Sequence, residues 1–133
     1  MSPGPGTRQL PTTVAMELLA SIRVGRIVFS RYALPAIHPA DHILDAGQLI
    51  IRGDAGTGLS PESQAVTYEA DLISSDTRSG WCVTVTGVAD TVTDTADLAR
   101  YRRLLPAGLS EPTDRIIRLH PAIVTGTEFT SHQ

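Results

Sequence analysis

Arg52 closes the apolar run QLIIR and directly precedes the glycine-rich stretch Gly53-Asp54-Ala55-Gly56-Thr57-Gly58-Leu59-Ser60. A guanidinium beside a loop of backbone N–H groups is the best candidate in the chain for holding an anion. Its plain alternative is a surface arginine. The stretch also imitates a nucleotide-binding P-loop, with two glycines five apart and a closing hydroxyl. Leu59 occupies the lysine position, however, and no strand–helix–strand pattern surrounds the loop, so a glycine-rich connection is the reading retained. His38 and His42 are four apart, but Pro39 between them imposes an extended backbone that separates their Cα atoms by about 13 Å, too far for one metal ion. No metal site is expected. Cys82 lies mid-strand beside Trp81, where an inert buried thiol is the ordinary outcome. No Gly-x-Ser-x-Gly elbow marks a nucleophile, and the aspartates are scattered at strand ends and caps, so no catalytic side chain is assigned. Trp81, the single Trp, is either core or the wall of a ligand pocket.

Composition narrows the function classes. The chain has 133 residues, 41% of them hydrophobic and 19% charged, and a net charge of −3, which suits one folded domain and gives no electrostatic case for nucleic acid or an anionic membrane. All 11 basic residues are Arg, which excludes Schiff-base chemistry and any lysine-dependent phosphate loop. One cysteine cannot form an internal disulfide. With neither a signal-peptide pattern nor an apolar run long enough to cross a bilayer, the expected setting is the cytoplasm.

The elements that must position these residues are mostly strands. Residues 1–11, Pro/Gly-rich, read as a disordered arm, and residues 12–130 as a single domain. Val14, Leu18, Leu19 and Ile22 recur at helical spacing, with Thr12 or Thr13 as N-cap and Gly25 as the exit. Strands are expected over 26–32, 33–44 (with an edge or bulge at Pro35 and Pro39), 48–52, 65–70 and 80–92, the last with a bulge or close approach at Gly87. Asp94 caps a second helix that Pro106 stops. Two further strands, 114–119 and 122–129, flank His120-Pro121. The sum is a mainly β (α+β) domain: a small barrel of about six or seven antiparallel strands with two flanking helices.

In this order, GRIVFS, LPAIHPADHILD, LIIRGDAGTGL, AVTYEADLI, TRSGWCVTVTGVADTV and RIIRLHPAIVTG resemble the pyridoxamine 5'-phosphate oxidase-like flavoproteins, in their short bacterial branch with a split β-barrel. The resemblance spans about residues 14 to 127. It implies a homodimer that binds two flavins at the subunit interface, FMN as the usual cofactor and the deazaflavin F420 in some relatives. Arg52 matches the family's phosphate-binding arginine, Gly53 replaces a Thr, and Gly58 stands where a Lys is usual. Pro39, Ala40 and Asp41 occupy the segment that lies along the flavin ring, and Gly80-Trp81-Cys82-Val83 nearly keeps a Gly-Trp-Ser-Val motif.

The function so implied is a flavin-dependent oxidoreductase acting on a small-molecule substrate. Arg52 and Gly53 with the Thr57-Gly58 backbone would hold the phosphate, Pro39 to Asp41 would line the ring, and Trp81 would wall the pocket. Arg78 and Arg31, from another loop or subunit, are the candidates to make good the missing lysine. Replacing Arg52 by Ala is expected to release flavin with the fold intact. The alternative is an F420-binding reductase, a cofactor-sequestering protein, or a barrel that has lost FMN.

Overall fold

The computed structural model describes residues 6–53, 64–105 and 115–131. Strands β1 (Gly6–Leu10), β2 (Val24–Arg31), β3 (Leu34–Asp45), β4 (Gln48–Gly53), β5 (Gln64–Ser74), β6 (Ser79–Thr91) and β7 (Arg115–Thr130) accompany helices α1 (Thr12–Ala20) and α2 (Thr95–Leu104). The sheet runs β1-β7-β4-β3-β2-β5-β6, and β6 pairs again with β7 to close it into a barrel. Every pairing is antiparallel. The barrel is split because β2 and β5 pair only over Arg26–Val28 and then part.

Alternation along the strands sets the faces. Ile27, Phe29, Leu49, Ile51, Tyr68, Val83, Val85 and Leu119 point inward and are buried. Helix α1 lays Ala15 and Leu19 on this core. It can approach β7 so closely because residue 126 is Gly: a Cβ there would stand 2.7 Å from the Ala15 Cβ. Helix α2 packs instead on the outer face, burying Tyr101 and Leu105 over Ile50 and Ile116. Each such fully buried apolar side chain contributes about 1.5–3 kcal/mol.

Several expectations need correction. Gly6–Leu10 is a strand registered on Gly126–Thr130, not part of a disordered arm. The segment lacks alternation and forms because β7 is long enough to offer it an edge. His120-Pro121 does not divide two strands. At that point the register slips against β6 between Thr86 and Gly87, and one strand continues through the bulge. A Cβ on Gly87 would meet the His120 carbonyl oxygen at 1.9 Å, so the close approach expected at Gly87 is present. Helix α1 starts after Pro11 with no side-chain cap, and neither Thr12 nor Thr13 caps it. Gly25 lies within β2 rather than at a helix exit, where a Cβ would fall 2.6 Å from the Tyr68 ring. The Asp94 cap is present, with its carboxylate accepting the Asp97 N–H at 2.9 Å. Pro35 and Pro39 lie in the half of β3 that pairs with β2 alone, since β4 joins β3 only from Asp41 onward. That half is the edge on which proline is tolerated.

Candidate functional site

Asp41 and Arg52 are directly opposite each other in the β3–β4 ladder, and Arg52 is opposite Ile116 in β4–β7. Directly paired residues share a face, so both side chains lie on the outer face, beside α2. Both are buried, with Asp41 at 8% and Arg52 at 6% exposure. The Arg52 Nη1 donates to the Leu105 carbonyl at the end of α2. A cation there also meets the negative end of the helix dipole. Arg52 is therefore not a surface arginine, and one of its five N–H donors ties α2 to the barrel.

Of the other residues expected at the site, Gly53 follows Arg52 on β4 and pairs with Arg115. Pro39 is exposed on the same outer face as Asp41, two residues away. Ala40 is on the opposite face: its side chain is fully buried in the core, and its carbonyl oxygen faces the Tyr68 hydroxyl at 3.1 Å. Its Cβ does not line a site shared with Pro39 and Asp41. Thr57 and Gly58 lie outside the described residues, as does most of the P-loop-like stretch. Trp81 is half-buried against the core, on the inner face with Val83 and Val85. It sits four strands from Arg52 through β3, β2 and β5. Through β7 it pairs with Glu128, whereas Arg52 pairs with Ile116. Within one chain, Arg52 and Trp81 do not converge.

The periodicity conceals a buried polar group behind this site. His42 is fully buried, with Nε2 2.9 Å from the Leu19 carbonyl oxygen and Nδ1 2.6 Å from the Tyr68 hydroxyl. A carbonyl only accepts, so Nε2 carries the hydrogen and Nδ1 of the neutral ring accepts from Tyr68. Burial pushes the His42 pKa down and the Tyr68 pKa well up, which keeps both neutral. The group fastens the last turn of α1 to β3 and β5. On the outer face, Asp45 accepts from Arg100 at 2.7 Å and from the Tyr101 hydroxyl at 2.6 Å. These bonds hold its carboxyl below the usual range. Cys82 is half-buried rather than buried as expected, and what burial it has raises its thiol pKa. Among the described residues no group of three or more His, Cys, Asp or Glu is arranged to hold a metal. No described helix is long and apolar enough to cross a membrane.

A closed seven-stranded split barrel, with an arginine buried at the end of β4, defines the structural class. The sequence profile of the pyridoxamine 5'-phosphate oxidase family matches residues 12–128, and the chain belongs to that family. It is 42% identical over 130 residues to an uncharacterised protein of Mycobacterium tuberculosis, covering 92% of this chain and 86% of the relative. Among solved structures it is similar to a putative pyridoxamine 5'-phosphate oxidase of Corynebacterium glutamicum, with TM-score 0.77, 29% identity, and 94% and 99% of the two chains covered. It is also similar to the FAD binding protein of Mycobacterium smegmatis, with TM-score 0.71, 32% identity, and 95% and 98% covered.

Proposed function

We propose that this chain is a flavin-binding oxidoreductase that acts as a cytoplasmic homodimer on a small-molecule substrate. The observation that carries the reading is Arg52, a guanidinium buried at the end of β4 in a chain whose 32%-identical relative binds FAD. Arg52 and the Gly53 backbone hold the cofactor phosphate, and Pro39 with the outer face of β3 lies along the ring. The flavin, when bound, supplies hydride transfer; the protein's part is to bind and orient it and to keep water out. One chain holds Arg52 and Trp81 on opposite faces, so contact of one cofactor with both requires a second chain, which supports the homodimer.

FMN is the cofactor that the resemblance implies. Two features favour FAD over it. Asp41 sits opposite Arg52, and no lysine is available to neutralise a terminal phosphate dianion. The diphosphate of FAD carries its charge in two halves and adds an adenosine to the contact. Titration with FMN, FAD and F420, following flavin fluorescence and Trp81 emission, tests the reading. Saturable micromolar binding of FMN or FAD by a dimer in light scattering is the expected result. Binding of F420 alone moves the chain to the deazaflavin-reductase alternative. Failure of all three to bind, or a monomer at micromolar concentration, overturns the proposal.

A further inference from the structure

The β5–β6 hairpin turn holds a second arginine whose surroundings are the reverse of Arg52's. Arg78 adopts φ 55°, in the left-handed region that glycine or asparagine ordinarily fills at such a turn. It makes no ion pair or hydrogen bond with any described residue, and its side chain is exposed. The neighbouring carboxylates Glu128 and Asp71 are taken by Arg8 at 2.9 Å and by Arg26 at 2.7 Å. Asp76, in the same turn, does not line the groove that Arg78 faces.

That groove has a volume of about 310 Å³ and is lined by Ile73, Ser74, Ser75, Arg78 and Phe129. It combines one cation and two hydroxyls with the apolar wall of Ile73 and half-buried Phe129. Tyr32, Ala33 and Ala46 share that backbone region at the other hairpin turns, so it is the unpartnered guanidinium at a concave surface, not the φ, that points to a ligand. A charged group beside hydroxyls and an aromatic face fits a phosphate ester on a ring-bearing body.

We propose that the Arg78 groove is a nucleotide subsite: the guanidinium and the Ser74 and Ser75 hydroxyls take a phosphate, and Phe129 and Ile73 take the ring. This chemistry has two sources, the adenosine-phosphate half of an FAD whose flavin end is held by Arg52 of a second copy of this chain, and a free adenine nucleotide. In the first case the inference rests on the flavin and homodimer reading above, since one chain keeps Arg52 and Arg78 at opposite ends of the barrel; in the second it stands apart from it.

Trp81 lies on the opposite face of β6 from Ile73 and Phe129, so binding in the groove is read by isothermal titration calorimetry. The probes are AMP, riboflavin, FMN and FAD, titrated into the full-length protein and into Arg78→Gly, Arg78→Asn and Arg78→Lys. Glycine and asparagine suit the left-handed backbone, so these variants lose the cation while keeping or raising the melting temperature. AMP should bind saturably below about 1 mM, with affinity falling at least about tenfold in Arg78→Gly and Arg78→Asn and much less in Arg78→Lys. If FAD is the source, FAD affinity falls in the same variants while riboflavin affinity holds; an equal fall for FMN puts Arg78 on the flavin phosphate instead and overturns the subsite. If a free nucleotide is the source, only the AMP response changes. Equal AMP affinity in wild type and Arg78→Gly, or no AMP response up to about 10 mM, overturns the subsite. A protein that binds AMP through Arg78 but binds no flavin keeps the subsite and loses the flavin reading. One that binds flavin but ignores AMP does the opposite.

Discussion

Two arginines at opposite ends of the barrel, each proposed to meet a phosphate, differ in how the fold holds them. Arg52 is buried, lies across from a carboxylate, and donates to the last carbonyl of the α2 region. Arg78 is exposed, has no partner among the described residues, and distorts its own backbone. The first contributes stability through contacts already made, beside the phosphate-binding role proposed for it. The second is solvated, and no contact with a described residue holds it.

The largest effect expected is at Arg52. Arg52→Ala removes the donor to the Leu105 carbonyl and the packing of a buried side chain. A buried acceptor that loses its charged donor, with the space the side chain leaves, costs about 3 kcal/mol. The expectation that the fold survives this substitution intact is thus replaced by a clear loss of stability, with α2 as the element that loosens. Urea unfolding of the variant measures it. A midpoint within experimental error of wild type would show that Arg52 is as idle structurally as Arg78.

Next comes the buried group under α1. Tyr68→Phe leaves the Nδ1 of His42 without a donor, at a cost of about 2 kcal/mol. The same group gives a pH signature. The folded pKa of His42 lies below its unfolded value because burial disfavours the cation, so the unfolded chain takes up the proton first as pH falls. Stability should decline as pH drops below about 6.5, and His42→Gln should flatten that slope. An unchanged slope in the variant would place the titration elsewhere.

The outer-face anchor of α2 is the weaker tie. Asp45 has a lowered pKa, chiefly through its bond from Arg100, so its contribution is present above the ordinary carboxylate range and is lost as pH falls through the folded value. Solvent screens much of it, and Asp45→Asn should cost about 1 kcal/mol. If that loss equals the loss in Arg52→Ala, the burial of Arg52 carries no special weight.

How far the sequence discloses this arrangement follows from the range of each interaction. Period-two alternation, the Asp94 cap and the prolines of β3 are local, and they read correctly as strands, a helix start and an edge. Gly87 is legible because only a tight backbone approach explains a glycine inside so regular a strand. The strand at Gly6–Leu10 is not legible, since its cause is an edge of β7 more than a hundred residues away. Likewise nothing near Arg52 announces Leu105, and nothing near His42 announces the Leu19 carbonyl or Tyr68. Both residues are assigned only when distant segments are brought together. Trp81 read as core or ligand wall, and in the single chain it packs against the core.

The smallest effect expected carries the opposite sign. Arg78→Gly removes the strain of a side chain at φ 55° and breaks no bond to a described residue. It should raise stability by about 0.5–1 kcal/mol, the ordinary difference between a left-handed residue with and without a Cβ, less the added freedom of glycine in the unfolded chain. Thermal unfolding measures this as a rise of a few degrees at most. Together with Arg52→Ala the two variants form a single test: one arginine whose removal loosens the fold, and one whose removal tightens it. A destabilised Arg78→Gly would mean that the side chain is held by contacts within the protein, and the contrast between the two ends of the barrel would disappear. A stabilised one leaves the Arg78 side chain without a structural reason to be there, which is the condition that a binding residue at the rim of a groove must meet.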